Sequence, residues 1–396
     1  MRLSPGLGRA EFLVRNRFVL IGLLSTALAV RTAWQGPSGF DYTFFRLAAL
    51  VFAGRPEDVA PSLFFAGPAS DASPLELYQQ VPTVQIGPVP LTVVAPLALW
   101  LPQQVAVVVI AVLCALALPL CLHMLERAAD AYHGPDAHRP LVVLAAGAVC
   151  LLLWPTAVGR YVHPDDVLLL VAACAALLAA GRQRWIACAV LLGIAAGAKP
   201  WGAALLPLAM AGTTGAKRIA ALGLAGVVAI LPWLPFVLGA PGTVSALSQF
   251  HIFVGQTSPL SLVWSGGQVP PWLRPIQVGL GGFAVVLTVL RRRPLLAVAL
   301  VVAIRVSTEG QDYDYYFAVL AVAAVSADLA VRGRRFPWTT TILVLLIHDA
   351  RWLVSENWQV AYVQASLVLV IVATAVLSPP PRRWPRRPAV AAPRPG

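Results

Sequence analysis

The sequence predicts an all-α fold, a polytopic bundle of transmembrane helices, and three observations carry that expectation. Of 396 residues, 59% are hydrophobic and only 12% charged, about half the charged share of an ordinary soluble domain. The apolar residues fall in repeated long runs separated by short polar segments, and backbone in lipid has to close its hydrogen bonds within helices or sealed barrels. The alternation of polar and apolar residues that marks a barrel strand is absent from those runs.

Apolar spans fall near 18–34, 103–124, 140–156, 165–181, 185–198, 201–212, 218–238, 275–290, 294–306, 314–331, 337–353 and 359–377, about twelve crossings. The first follows a charged lead, residues 1–17, that is long and lacks a clean small-residue cleavage site, so it reads as a retained span and not a signal peptide. Next comes a long loop, 35–102. Within it "YTFFRLAALVFA" has helical composition from Tyr42 to Ala53, Gly54 is a natural stop, and Phe44, Leu47, Ala48 and Val51 share one face. That pattern predicts an amphipathic juxtamembrane helix lying in the interface. The stretch 82–101 is apolar enough to cross, but prolines at 82, 88, 90 and 96 argue against a regular membrane helix, so it reads as re-entrant or interfacial. The runs 185–198 and 201–212 are shorter than the roughly 20 residues a crossing takes. They read as broken or tilted helices inside the bundle, or as one hairpin that never crosses. Residues 1–377 form one membrane-embedded domain in this reading. The proline- and arginine-rich tail, 378–396, reads as disordered and resting on anionic lipid.

Charge orients the chain. With 82–101 left out of the crossings and both termini cytoplasmic, 21 of 29 basic residues fall inside and 12 of 17 acidic residues outside, as the positive-inside rule expects. Counting 82–101 as a crossing would put "RRR" (291–293) and "RGRR" (332–335) outside. Those clusters sit between apolar spans, where arginine sets topology, so the net charge of +12 does not imply a nucleic-acid partner. The five cysteines lie within or beside spans and read as packing material, not as a disulfide framework or zinc site.

The polar residues left outside are the candidates for chemistry. Asp41 stands at the head of the juxtamembrane helix, where an aspartate either caps the helix or presents a carboxylate, and Arg46 lies one turn further on. "HPDD" puts His163, Asp165 and Asp166 at the start of a span, as caps or as an acid–imidazole cluster; without a third ligand of suitable spacing it is a weak metal motif. Lys199 of "AKPW" either snorkels or holds a lipid-linked phosphate. Arg305, at a membrane edge, wants a partner such as Asp312 or Asp314. Tyr313, Tyr315 and Tyr316 read chiefly as interfacial anchors, with Tyr316 also a candidate for binding substrate. His251 and Gln256 complete the set from the late outer loop. No phosphate-cradling glycine loop, nucleophile elbow or zinc-protease pair is present, which argues against cytosolic nucleotide chemistry.

Taken in order, "FDYTFFRLAALVFAGR", "GPVPLTVVAPLALWLP", "GIAAGAKPWGAALLPLAM" and "RVSTEGQDYDYYFAVLAV" resemble the GT-C superfamily of integral-membrane glycosyltransferases. Within it the chain is similar to the bacterial polyprenyl-phosphate-sugar-dependent group that includes mannosyltransferases. The resemblance implies a GT-C fold in the plasma membrane with its active site on the extracytoplasmic face. It implies transfer of a mannose- or arabinose-type sugar from a polyprenyl-phosphate donor to a glycolipid or cell-envelope glycan acceptor. By the same resemblance Asp41 matches the general base, and His163, Asp165 and Asp166 match a motif of the next outer loop. There "VGRYVHPDD" replaces the Gly-Gln-x-Asn pattern of many relatives, which puts the donor sugar in question. A single base and no second carboxylate nucleophile point to inversion. No cofactor is expected, and a divalent-metal requirement stays open. The competing classes are a transporter or lipid flippase, for which internal repeats and mid-span charges would argue, and an assembly factor that retains the fold without the chemistry.

Overall fold

The computed structural model describes residues 5–35, 39, 41–55, 73–81, 86–248, 252–311, 313–354 and 356–377. Among them the architecture is all-helical, and the only β pairing is an isolated bridge between Phe253 and Gln268. In chain order the helices are α1 (Pro5–Arg15), α2 (Arg17–Gln35), α3 (Tyr42–Phe52), α4 (Leu77–Gln80), α5 (Pro88–Trp100) and α6 (Gln103–His133). They continue with α7 (Arg139–Cys150), α8 (Trp154–Thr156) running into a π turn at Ala157–Tyr161, α9 (Pro164–Gly181) and α10 (Trp185–Ala198). A 3₁₀ segment, Pro200–Met210, leads to α11 (Ala216–Ile230), α12 (Leu234–Gly239) and α13 (Thr243–Ser248). The chain ends with α14 (Leu273–Leu290), α15 (Leu296–Ser307), α16 (Asp314–Leu329), α17 (Trp338–Leu353) and α18 (Asn357–Leu377).

Among the described residues six stretches are long and apolar enough to cross a membrane, and a seventh follows if the pair Arg139–Cys150 and Trp154–Tyr161, bent by 49°, is one span. The other apolar helices, among them α10, α15 and the 3₁₀ segment, have 10–17 residues. The 14-residue α10 rises about 21 Å, short of a bilayer's hydrocarbon core of about 30 Å. Such helices fit where neighbours, and not lipid, cover their ends. Burial sorts the helices the same way. Every residue of α16 from Tyr315 to Leu329 is buried, as expected of a helix apolar all round and set at the centre of the bundle. The long Ala216–Gly239 stretch keeps only 17% of its span buried and shows its apolar side chains outward.

Loop contacts sort into two ends. At one, Arg17 pairs with Glu126 (2.7 Å), Arg139 with Asp130 and Arg334 with Asp328, and the Gly333 amide donates to Asp136 (2.9 Å). At the other, the Gly39 amide donates to the Arg160 carbonyl (2.9 Å), Gln104 to the Ala33 carbonyl (3.0 Å) and Tyr161 to Asp314 (3.1 Å). The first group consists of segments the charge count puts inside and the second of segments it puts outside.

The stretch 88–100 is a helix of 13 residues, shorter than a crossing takes, in keeping with its exclusion from the spans. Pro88 and Pro90 fall in the first turn of α5, where the missing amides have no intrahelical partner anyway, and only Pro96 interrupts the interior. The expectation of an amphipathic helix at 42–53 with its apolar face free to lie in the interface needs correction. Helix α3 ends at Phe52 with Gly54 in the left-handed conformation, close to the expected stop. However, Tyr42, Phe45, Leu47, Ala48, Ala49, Leu50 and Val51 are all buried, against α5 among others, and Phe44 lies outside that set. The helix is therefore a packed element of the bundle. All five cysteines are buried and free, in keeping with packing material. The tail 378–396 lies outside the described residues.

Gly87 joins α5 to the end of α10. Its amide donates to the Ala198 carbonyl (3.0 Å), and a Cβ there would sit 2.0 Å from the Gly197 oxygen. Gly87→Ala is expected to force the two backbones apart next to Lys199, at a cost of about 1–3 kcal/mol for an overpacked contact. Thermal unfolding in detergent checks this: the melting temperature falls, and an unchanged one would mean that α5 is not seated on α10.

Candidate functional site

The end of the bundle that carries the Gly39–Arg160 and Tyr161–Asp314 contacts holds a cluster of ionisable side chains delivered by four elements. Asp41 comes from the turn before α3. Its side chain makes no capping hydrogen bond to α3, so the capping reading does not hold. Instead Oδ2 lies 2.8 Å from His163 Nε2, and the side chain stays 20% exposed.

His163 enters from an irregular stretch. After the bend beyond α7, the π turn at Ala157–Tyr161 passes so close to α2 that a Cβ on Gly159 would meet the Ala29 carbonyl at 2.6 Å. Val162 then takes a left-handed conformation (φ 58°, ψ 71°), which a β-branched residue adopts only under strain of about 1–3 kcal/mol. Its side chain is fully buried. The strained turn hands the chain to α9, with His163 just before the helix and Asp165 and Asp166 in its first turn. His163 Nδ1 lies 3.3 Å from Asp165 Oδ1 and 3.6 Å from Asp166 Oδ2. The imidazole stacks on Tyr315 (3.7 Å between centroids, 20° between planes) and meets Phe45 edge-on at 5.5 Å.

Asp165 and Asp166 are 2% and 1% exposed, and their counter-ion is Lys199, at the junction of α10 with the 3₁₀ segment. Its ammonium lies 3.0 Å from Asp165 Oδ2 and bonds Asp166 Oδ2 as well. The two carboxylates raise the affinity of the Lys199 amine for its proton against the opposing effect of burial. Lys199 therefore neither snorkels to the interface nor stands ready for a phosphate. His163, Asp165 and Asp166 are close enough together to suit a metal ion. However, the ammonium already bonds Oδ2 of both carboxylates and the imidazole faces them too, while Asp166 Oδ1 is buried without a hydrogen-bond partner.

Tyr316 links this cluster to a second one. Its ring has Lys199 Nζ on it at 5.7 Å and the Arg305 guanidinium at 5.4 Å. Arg305 does not pair with Asp314, as the sequence suggested. It bonds Glu309 one turn on and Gln277 (2.9 Å), and Arg274 grips the same Glu309 carboxylate at 2.8 and 3.0 Å. Asp314 accepts from Tyr161 instead. The alternative partner, Asp312, lies outside the described residues, as does His251. Tyr315 and Tyr316 are buried inside the cluster and do not anchor the chain in an interface.

The structure thus brings together Asp41, His163, Asp165, Asp166, Lys199, Tyr316 and Arg305, with Asp314 at the margin. It leaves two candidates apart: Arg46 reaches Gln103 (3.4 Å), and Gln256 accepts from Asn357 (2.7 Å). Sequence reasoning passed over Arg274, Gln277, Glu309 and the packing role of Tyr315. Of these, Glu309 was within reach, because it stands four residues after Arg305, just past the end of α15, at the spacing of an ion pair.

Comparison with known proteins finds no matching family model, no similar curated protein and no similar solved structure.

Proposed function

We propose that this chain is an integral-membrane glycosyltransferase of GT-C type, with about twelve passes and Asp41 as its general base on the extracytoplasmic face. The observation that carries the reading is Asp41 itself. A carboxylate at the head of a helix forgoes the cap, keeps part of its surface exposed, and is held from behind by His163. The sorting of loops into a basic end and an end rich in acids supports the orientation.

The chemistry follows from the bond exchanged. An acceptor hydroxyl attacks the anomeric carbon of a polyprenyl-phosphate sugar, the carbon–oxygen bond to phosphate breaks, and polyprenyl phosphate leaves. The configuration inverts. The hydroxyl proton passes to Asp41, whose position next to the lipid-anchored donor converts an encounter in solution into a reaction between held groups. Lys199 is buried between Asp165 and Asp166, whereas Arg274, though paired with Glu309, is 31% exposed, so in this reading it is the cation that would turn part of its pairing to the departing phosphate. Mannose- or arabinose-type donors and glycolipid or envelope-glycan acceptors are the substrates this reading names.

The test is label transfer. Purified protein in detergent, given polyprenyl-phosphate sugars labelled in the sugar and a panel of membrane glycolipids, is expected to move label to a new lipid with the opposite anomeric configuration. Absence of transfer from every mannose- and arabinose-type donor would overturn the reading.

One observation favours a second reading, a transporter. The groups from Asp41 through His163 to Asp165, Asp166 and Lys199 form a connected string of ionisable side chains leading from the surface into the bundle, as in proton-coupled carriers. Proton or lipid flux in proteoliposomes without label transfer would select it.

A further inference from the structure

We propose that His163 is the positioning residue of Asp41: a doubly protonated imidazole, gripped by carboxylates at both ring nitrogens, that fixes one oxygen of the base. This rests on the reading of Asp41 as base given above.

The geometry makes the argument. Nε2 faces Asp41 Oδ2 at 2.8 Å, and Nδ1 faces Asp165 Oδ1 at 3.3 Å and Asp166 Oδ2 at 3.6 Å. A neutral imidazole has one donor and one acceptor nitrogen, so either tautomer would turn a lone pair on an ionised oxygen. The imidazolium donates in both directions. Charge balance agrees. Along the string from Asp41 to Arg274, the carboxylates of Asp41, Asp165, Asp166 and Glu309 meet the cations Lys199, Arg305 and Arg274, and a charged His163 makes the match one for one. Of the other elements packed here, α16 presents Tyr315 to the ring, and the π turn presents Tyr161, whose hydroxyl bonds Asp314 while Arg160 lies over its ring. Burial, and to a lesser degree the Lys199 ammonium, lower the proton affinity of His163, but the Asp165 and Asp41 carboxylates outweigh them and raise the pKa to about 9.

The ring is also prevented from turning. Tyr315 covers one face, Phe45 abuts an edge, and the left-handed Val162 fixes the backbone before it. A doubly protonated ring has no nitrogen free to take a proton onward, so His163 orients Asp41 and does not relay. The proton Asp41 collects departs from its exposed side. The folded-state pKa lies above the ordinary 6.5, so the stabilisation from the charged ring is complete below about 6.5 and is lost as pH rises through about 9.

Two measurements test this. In the transfer assay, His163→Ala is expected to lower kcat about 100-fold with KM within about twofold, and His163→Gln, which keeps an N–H donor, to recover about tenfold. The alkaline limb near pH 9 of the wild-type rate should vanish in His163→Gln. The second measurement needs no activity: NMR of protein carrying isotope-labelled histidine should show, at about pH 7.5, an imidazolium signal that His163→Gln removes. In Asp41→Asn that signal should titrate at lower pH. A neutral ring at that pH, or a His163→Ala rate equal to wild type, would overturn the proposal. If wild type transfers no sugar while the imidazolium signal is present, the base reading of Asp41 falls and the charged clamp stands.

Discussion

Lys199→Met is expected to be the most destabilising single substitution in this protein. Methionine matches the lysine stem in length and fills its volume, so packing changes little. The charge is what goes. Asp165 and Asp166, almost wholly buried, would keep only His163 as a cation. Stranding a buried charge by removing its partner costs about 3–5 kcal/mol, well above the roughly 0–1 kcal/mol of an exposed ion pair. The measurement is thermal unfolding in detergent, where the single variant should melt far below wild type or fail to accumulate. Adding Asp166→Asn to Lys199→Met removes one of the stranded charges and should recover part of the loss, a non-additivity expected only of groups in contact. A Lys199→Met protein as stable as wild type would mean that water reaches these carboxylates.

Asp41→Asn is expected to have the largest effect on rate and almost none on folding. The asparagine oxygen can still accept the His163 Nε2–H donation, and no capping bond is lost because none exists. What disappears is the ability to take a proton. General-base catalysis contributes about 10²–10⁴-fold, and transfer should fall by that factor. The comparison is single-turnover label transfer against melting temperature for the same preparation. Lost transfer with an unchanged melting temperature supports the base; unchanged transfer removes Asp41 from the chemistry.

Together the two variants separate the roles within one cluster. Asp41, partly exposed, is the reacting group, whereas Lys199, buried and doubly paired, is a counter-ion. Sequence assigned both to the same loop-end chemistry. A lysine at the end of an apolar run looks the same whether it points to water or inward, because the answer depends on what lies opposite. Here that is Asp165 and Asp166, from α9, more than thirty positions earlier.

The same reason explains Arg305 and the tyrosines. Sequence reading offered Arg305 the later acids Asp312 and Asp314, but the chain leaving α15 sets Glu309 alongside it, and Arg274 approaches the same carboxylate from α14. Tyr315 and Tyr316 have the composition of a membrane-interface belt. The approach of α9 and of the α10 end turns them into the walls of an ionic cluster.

The sequence by itself determined the all-helical class with helices long and apolar enough to cross a membrane, the position of the strongest of them and the end of α3 near Gly54. Those properties are local sums of hydrophobicity, turn chemistry and charge, and neighbouring residues suffice to set them. Only the tertiary structure decided that the apolar face of α3 is packed on the protein, and that Asp41 abandons its cap for His163. Each of those outcomes depends on which distant segment supplies the better partner, an energy set by contacts between elements far apart in the chain.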